Sequence, residues 1–269
     1  MPVTTPAAGT TPDPLAGLEG AMDAAWPAPD RENVGSWVLR AADGVTQRAN
    51  SIWPRPEPAG SDPAVLLRQA RAWYRSRRLP VIFQLMAGPA GTALHQFLDT
   101  EGFTRQSETL VMARGPWQAA AGPDPDVETA AEPSAEWLRL WWQVDGRGGD
   151  AAMATARTIL TGCPALYALV RDPGGQPAAV GRLALPAQHP GWGGIYSMAT
   201  HPDARRRGYA SQVLEALLDA GAARGLDNYW LLVTAANTGA QQLYAAAGFV
   251  ETGRYEYRQE RPQRARTGC

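Results

Sequence analysis

The densest run of reactive chemistry lies between Gly194 and Ala210, GIYSMATHPDARRRGYA. An apolar stretch suited to a strand ends at Thr200. Pro202 interrupts it, and Arg205, Arg206 and Arg207 lead into a helical pattern that opens near Gly208. The start of a helix holds backbone N–H groups with no intrahelical partner and the positive end of the helix dipole. Gly208 lets a ligand come close to the backbone, and the small Ala210 leaves room beside it. Together these features describe an anion site suited to a diphosphate. An arginine triplet alone would read as an ordinary solvated loop; the strand, loop, glycine and helix around it set this one apart.

The elements that must hold this loop are legible on both sides. Val127–Thr129 reads as a short strand, and Ser134 as the N-cap of a helix over Ala135–Val144. Ala151–Leu160 reads as a second helix. The apolar runs Leu166–Val170 and Ala178–Leu185 flank Asp172-Pro173-Gly174-Gly175, which predicts a hairpin. Gly194–Thr200 is the next strand. Val213, Leu214, Leu217 and Leu218 give a helical spacing to Gly208–Arg224, closed by Gly225. Tyr229–Val233 reads as a buried strand, Thr238–Ala247 as a helix ending at Gly248, and Phe249–Tyr257 as a final strand. The order β-α-α-β-β-β-α-β-α-β predicts a mixed α/β sheet with helices on its faces.

The first half of the chain echoes the end of this order. Ala64–Arg77 reads as a helix, Val81–Leu85 as a strand, Thr92–Glu101 as a helix, and Ser107–Met112 as a strand. Leu94–Phe103 (LHQFLDTEGF) parallels Ala240–Phe249 (AQQLYAAAGF), a weak internal repeat that predicts two related lobes. Trp37–Pro54 reads as two strands around a turn at Asp43-Gly44, with Arg48 and Asn50 either facing the neighbouring cleft or satisfying an edge strand. The boundaries expected are a tail over 1–15, a lobe over 16–114, a linker over 115–126, a second lobe over 127–258 and a frayed tail over 259–269.

Two motifs in the second lobe carry a family resemblance. Arg205-x-x-Gly208-x-Ala210 resembles the Q/R-x-x-G-x-G/A signature of the GNAT acyltransferases, and Asn237-x-x-Ala240-x-x-Leu243-Tyr244-x-x-x-Gly248-Phe249 resembles their second signature. The architecture is similar to that of tandem GNAT enzymes with a degenerate N-terminal lobe. The fold implied is α/β, two GNAT-like lobes, each a mixed, mostly antiparallel sheet flanked by helices, with a splayed strand pair in the C-terminal lobe. The cofactor implied is acetyl-CoA as co-substrate. By the resemblance, Arg205, Arg206, Arg207, Gly208, Tyr209, Ala210 and Ser211 hold the coenzyme diphosphate. Met198, Ala199 and Thr200 pair with the pantetheine arm, Asn237 helps to position it, and Tyr244 lies near the thioester sulfur. A phenol of ordinary pKa about 10 is a plausible proton donor to a leaving thiolate, which makes Tyr244 the expected general acid. A main-chain N–H near Met198 would stabilise the oxyanion.

Other expectations are less sharply placed. The strand Ile195–Met198 carries no carboxylate, so the general base is left among Asp145, Glu136, His189 and His201, or to a water relay. Trp141, Trp142, Asp145 and Trp192 either hold a cationic amine or, in the case of the tryptophans, fill the core. Leu98 stands where Tyr244 stands in the repeat, so the first lobe should not catalyse. The expected reaction is direct acetyl transfer to the primary amine of a small molecule. The alternatives are a protein N-terminus as acceptor, or a silent acyl-CoA sensor.

Composition narrows the classes further. The chain has 269 residues, 45% of them hydrophobic, and a net charge of -1 from 25 basic and 26 acidic residues. Every basic residue among the Lys and Arg total is Arg; there is no Lys. This balance gives no general reason to bind nucleic acid or an anionic membrane. Two cysteines, Cys163 and Cys269, make no disulfide framework, and a cytoplasmic monomer or homodimer without a metal site is expected.

Overall fold

A computed structural model describes residues 14–56, 60–88, 91–119, 122 and 124–261. The tails expected over 1–15 and 259–269 lie largely outside the described residues. Within them, helix α1 already begins at Pro14 and the last strand runs to Glu260. The elements of the first half are α1 (Pro14–Ala25), β1 (Asp30–Val34), β2 (Trp37–Ala41), β3 (Trp53–Pro54), α2 (Pro63–Ser76), β4 (Ile82–Met86), α3 (Thr92–Thr100) and β5 (Phe103–Arg114). Those of the second are β6 (Val127–Ala130), α4 (Ala135–Asp145), α5 (Asp150–Thr161), β7 (Ala165–Arg171), β8 (Pro177–Ala184), β9 (Trp192–Thr200), α6 (Tyr209–Ala222), β10 (Asn228–Thr234), α7 (Thr238–Ala246) and β11 (Val250–Glu260). The fold is the mixed α/β arrangement expected. α1 and β1 stand ahead of Trp37, the first position at which the sequence predicts an element. Gly17 and Gly20 weaken the helical signal of α1.

The sheets are divided differently from the halves of the chain. β1, β2 and β3 form a small antiparallel sheet. All other strands form one eight-stranded sheet in the order β4-β11-β5-β10-β9-β8-β7-β6. Each half ends in a strand–helix–strand unit, β4-α3-β5 and β10-α7-β11. In both units a glycine with positive φ follows the helix, Gly102 at 80° and Gly248 at 81°. The last strand of each unit does not pair with its own first strand. β5 lies between β11 and β10, and β11 lies between β4 and β5. Two sheets of one lobe each were expected; a reciprocal exchange of closing strands merges them into one.

Alternation along the strands then builds two cores. Leu166, Ala168 and Val170 of β7, with Tyr229, Leu231 and Val233 of β10, meet Val213, Leu214, Leu217 and Leu218 of α6 and Tyr244 of α7. The opposite faces of the same strands present Tyr167, Leu169 and Trp230 to α1, α4 and α5. Ser134 caps α4 as expected, accepting a hydrogen bond from Trp137 N at 3.1 Å. A third cluster joins β2 and β4 to α2 and α3 around Trp37, Tyr74 and Phe83.

Candidate active site

The site forms where two parallel strands part. β9 and β10 pair only from Trp192 with Asn228 to Ile195 with Leu231. Beyond that point β10 continues against β5, through Leu232 with Val111 to Thr234 with Thr109. β9 continues against β8 alone, and its register shifts between Val180/Ala199 and Arg182/Tyr196. The bulge places Ser197 at φ 53°, a costly conformation for a residue with a side chain. The β10-facing edge of Tyr196–Thr200 is therefore left without a strand neighbour.

A cleft of about 410 Å³ opens at this parting. Ser197 and Met198 line it from the bulge, Asn237 and Tyr244 from α7, Trp141 and Asp145 from α4, and Trp26 and Arg48 from the first half. Met198, Asn237 and Tyr244, distant in sequence, thus share one space, whereas Ala199 and Thr200 lie outside its lining. Asn237 caps α7: its side-chain oxygen accepts from Ala240 N at 3.1 Å. This leaves its amide NH₂ as a donor. Tyr244 is buried, and burial, with the charge of Asp145 adding to it, pushes its phenol up to about 12. It keeps its proton at any physiological pH. Burial likewise raises the Asp145 carboxyl above the ordinary aspartate range, against the lowering pull of Arg147 and Arg48. The residue as a whole is exposed at the mouth.

Upstream of α6, Pro202–Ala204 forms a 3₁₀ turn, with His201 accepting from Asp203 N at 3.3 Å. Arg206 has φ 64° and Gly208 φ 87°. Gly208 is the N-cap of α6 and supplies no side chain to the helix start. A Cβ on Gly208 would meet nothing within 4 Å. The glycine is therefore required by conformation, and open space lies beside it at the helix start. Arg205, Arg206 and Arg207 are exposed around that space, and Tyr209, Ala210 and Ser211 form the first turn. The residues present fit an anionic phosphate group.

Several expected residues lie elsewhere. Trp142 stays outside the cleft, donating to Gly148 O at 3.3 Å, and Trp192 packs on Trp230 with centroids 6.1 Å apart. Both are placed by packing rather than by a ligand. Glu136 is engaged by Arg171 at 2.7 Å, and His189 packs against Gly20 of α1. His201 faces a separate hollow of about 550 Å³ with Glu136 and Arg207. Of the four proposed bases only Asp145 reaches the cleft.

Residues 15–258 match the family described as probable histone acetyltransferase Rv0428c C-terminal. The chain belongs to that family. It is thereby a GNAT acetyltransferase. The uncharacterized N-acetyltransferase YobR of Bacillus subtilis (strain 168) is 24% identical over 256 residues, covering 93% of this chain and 100% of the relative. The probable histone acetyltransferase Rv0428c of Mycobacterium tuberculosis (strain ATCC 25618 / H37Rv) is 30% identical over 164 residues, 55% of this chain and 49% of that protein. This chain thus matches about half the length of the mycobacterial relative. A tandem GNAT protein from the clavulanic acid biosynthesis pathway shares the fold with a TM-score of 0.67 and 14% identity, covering 95% of this chain and 91% of that chain.

In this GNAT chain the N-terminal half does more than echo the other. Trp26, Arg48 and Ser107 line the cleft from it. The sequence left Arg48 and Asn50 open between cleft and edge strand. Arg48 faces the cleft, while Asn50 holds the loop that carries it, its side-chain oxygen accepting from Ala42 N and Gly44 N at 2.8 Å each. Leu98 is fully buried, filling the N-terminal core where α7 has Tyr244.

Proposed function

We propose that this GNAT chain transfers an acetyl group from acetyl-CoA to the primary amine of a small molecule by direct attack. The observation that carries the reading is the parting of β9 from β10, because it leaves a free strand edge, a phenol and a carboxylate on one cleft. The coenzyme diphosphate would lie on the α6 N-terminus, against Arg205–Arg207 and the N–H groups of Gly208, Tyr209, Ala210 and Ser211. The pantetheine arm would pair with Met198–Thr200, with the Asn237 amide beside it. Acetyl-CoA brings an activated thioester. The main-chain N–H near Met198 holds the developing oxyanion. Asp145 accepts the amine's proton, directly or through water. Tyr244 donates to the departing sulfur. With its pKa near 12 it remains a hydrogen-bond donor throughout and gives up its proton only as the carbon–sulfur bond breaks.

A protein acceptor is the second reading, favoured by the name of the matching family. The first half weighs against it, because Trp26 and Arg48 wall the cleft on one side. The test is release of free thiol from acetyl-CoA with a panel of small amines, antibiotics and short peptides. Release with small amines supports the proposal, and release with peptides alone sinks it. Coenzyme-induced thermal stabilisation without any release would leave a silent acyl-CoA sensor.

A further inference from the structure

The cleft is lined by two opposite charges, Arg48 and Asp145, that feel each other's field but form no ion pair. Arg48 sits in the connection between β2 and β3, which Asn50 braces by donating to Thr46 O at 2.7 Å. Its guanidinium carbon lies 5.3 Å from the ring centroid of Trp26 and 5.3 Å from that of Tyr196. Those rings stack on each other at 5.5 Å. The Arg48 Nε is buried with no hydrogen-bond partner, and among the described residues no carboxylate pairs with this side chain. The contrast with the fully buried Arg40, also in the first half, is direct. Arg40 donates to Asp23 at 2.9 Å, Gln84 at 2.8 Å and the Ser51 hydroxyl at 2.9 Å. Arg48 is half-buried rather than removed from water, and its guanidinium faces the cleft with cation–π contacts in place of a counter-ion. Asp145, which lines the same cleft, also makes no ion pair among the described residues.

We propose that the acceptor is an amino acid or a similar small molecule carrying both an amine and a carboxylate. Its carboxylate lies on Arg48 and its amine on Asp145. This deepens the acetyltransferase reading and rests on it. The amine end is fixed by chemistry, since Asp145 and Tyr244 share the parting of the strands where the thioester must react. The carboxylate end follows from Arg48, whose forked donors match two carboxylate oxygens. Trp26, Trp141 and Tyr196 line the same cleft and give the acceptor's body an aromatic wall. A protein N-terminus would bring an amide to Arg48 in place of a carboxylate, so the same residue also selects against peptides.

The test compares α-amino acids with their α-amides and their decarboxylated amines, by thiol release from acetyl-CoA with the full chain. The amino acid should exceed its amide in kcat/KM by at least about 10-fold, as expected for a charged hydrogen-bonded pair. Arg48→Gln should collapse that ratio towards one, and Arg48→Lys should restore part of it. Amides or O-phosphoethanolamine used better than amino acids, or a preference that survives Arg48→Gln, would overturn the proposal. The wild-type ratio decides even if Arg48→Gln fails to fold. If no amine releases thiol, the transfer reading fails on its own, and thermal stabilisation by amino acids in the presence of CoA decides this one. Saturable stabilisation that Arg48→Gln removes supports the amino-acid site, and no stabilisation overturns it.

Discussion

At the scale of single residues, the proposed chemistry is divided between a phenol that keeps its proton until the carbon–sulfur bond breaks and a carboxylate whose ionisation sets the pace. Tyr244→Phe removes only the phenol oxygen from a packed ring, so the fold should survive. We expect kcat to fall about 10²-fold or more, with the KM for acetyl-CoA little changed. Steady-state kinetics checks this, and unchanged turnover would remove Tyr244 from the chemistry. Asp145 must be deprotonated to act as a base. Partial desolvation at the cleft mouth holds its pKa above the ordinary range, so activity should be lost on acidification at a higher pH than a freely solvated aspartate would allow. Asp145→Asn should abolish that acid limb and leave only the limb belonging to the amine itself. A pH–rate profile with the same limb in both proteins would exclude Asp145. Removing the positive charge of Arg48, which lowers the Asp145 pKa, should move the limb to higher pH still.

At the scale of elements, local signals carried the C-terminal half well. Ser134 before a run of tryptophans, the Asp172–Gly175 turn, and Gly208 before an apolar helical stripe are all short-range devices. The sequence therefore placed α4, the β7–β8 hairpin and α6 close to where they stand. The bulge at Ser197 left no such trace, because it arises from a mismatch between β8 and β9 rather than from a turn residue. Arg48 was equally hard to read, since its neighbours Trp26 and Tyr196 lie far from it in the chain. The loop before α6 gives the prediction for this scale. Gly208→Ala meets no steric obstacle but must hold φ near 87°, at a cost of about 1–2 kcal/mol for an L side chain. The loop should relax away from the shape proposed to hold the coenzyme diphosphate. We expect the KM for acetyl-CoA to rise about 10-fold while kcat at saturation changes less, and titration of CoA by calorimetry would show the same loss. An unchanged affinity would detach this loop from the coenzyme.

At the scale of the whole molecule, the exchange of β5 and β11 is what the sequence could not disclose. The repeat Leu94–Phe103 and Ala240–Phe249 announced two similar units, but strand partners far apart in the chain carry no local signature. Phe103 pairs with Glu260, and Ala113 with Val250. Without β5, β10 would lose its antiparallel neighbour and the outer wall of the cleft would lose Ser107 and Thr109. Residues 127–269 produced alone should therefore be insoluble or unfolded. The same segment produced together with residues 1–126 should recover a soluble complex, and the intact chain should melt in one transition. Circular dichroism and calorimetry on the three samples check this; an independently folded, active 127–269 fragment would refute it.

The central place of β5 also has a consequence during synthesis. Its neighbours β10 and β11 are complete only about 120 and about 146 residues after it, or roughly 6–29 s later at ~5–20 residues per second. Throughout that interval the nascent chain carries Leu110, Val111, Met112 and Ala113 with neither strand edge covered. The run Arg105–Glu108 just before them is polar and ends exposed, a built-in guard against pairing with the wrong chain. The protein is thus committed to waiting for β10 and β11, and its yield in a cell should respond to chaperone supply more steeply than its final stability would suggest.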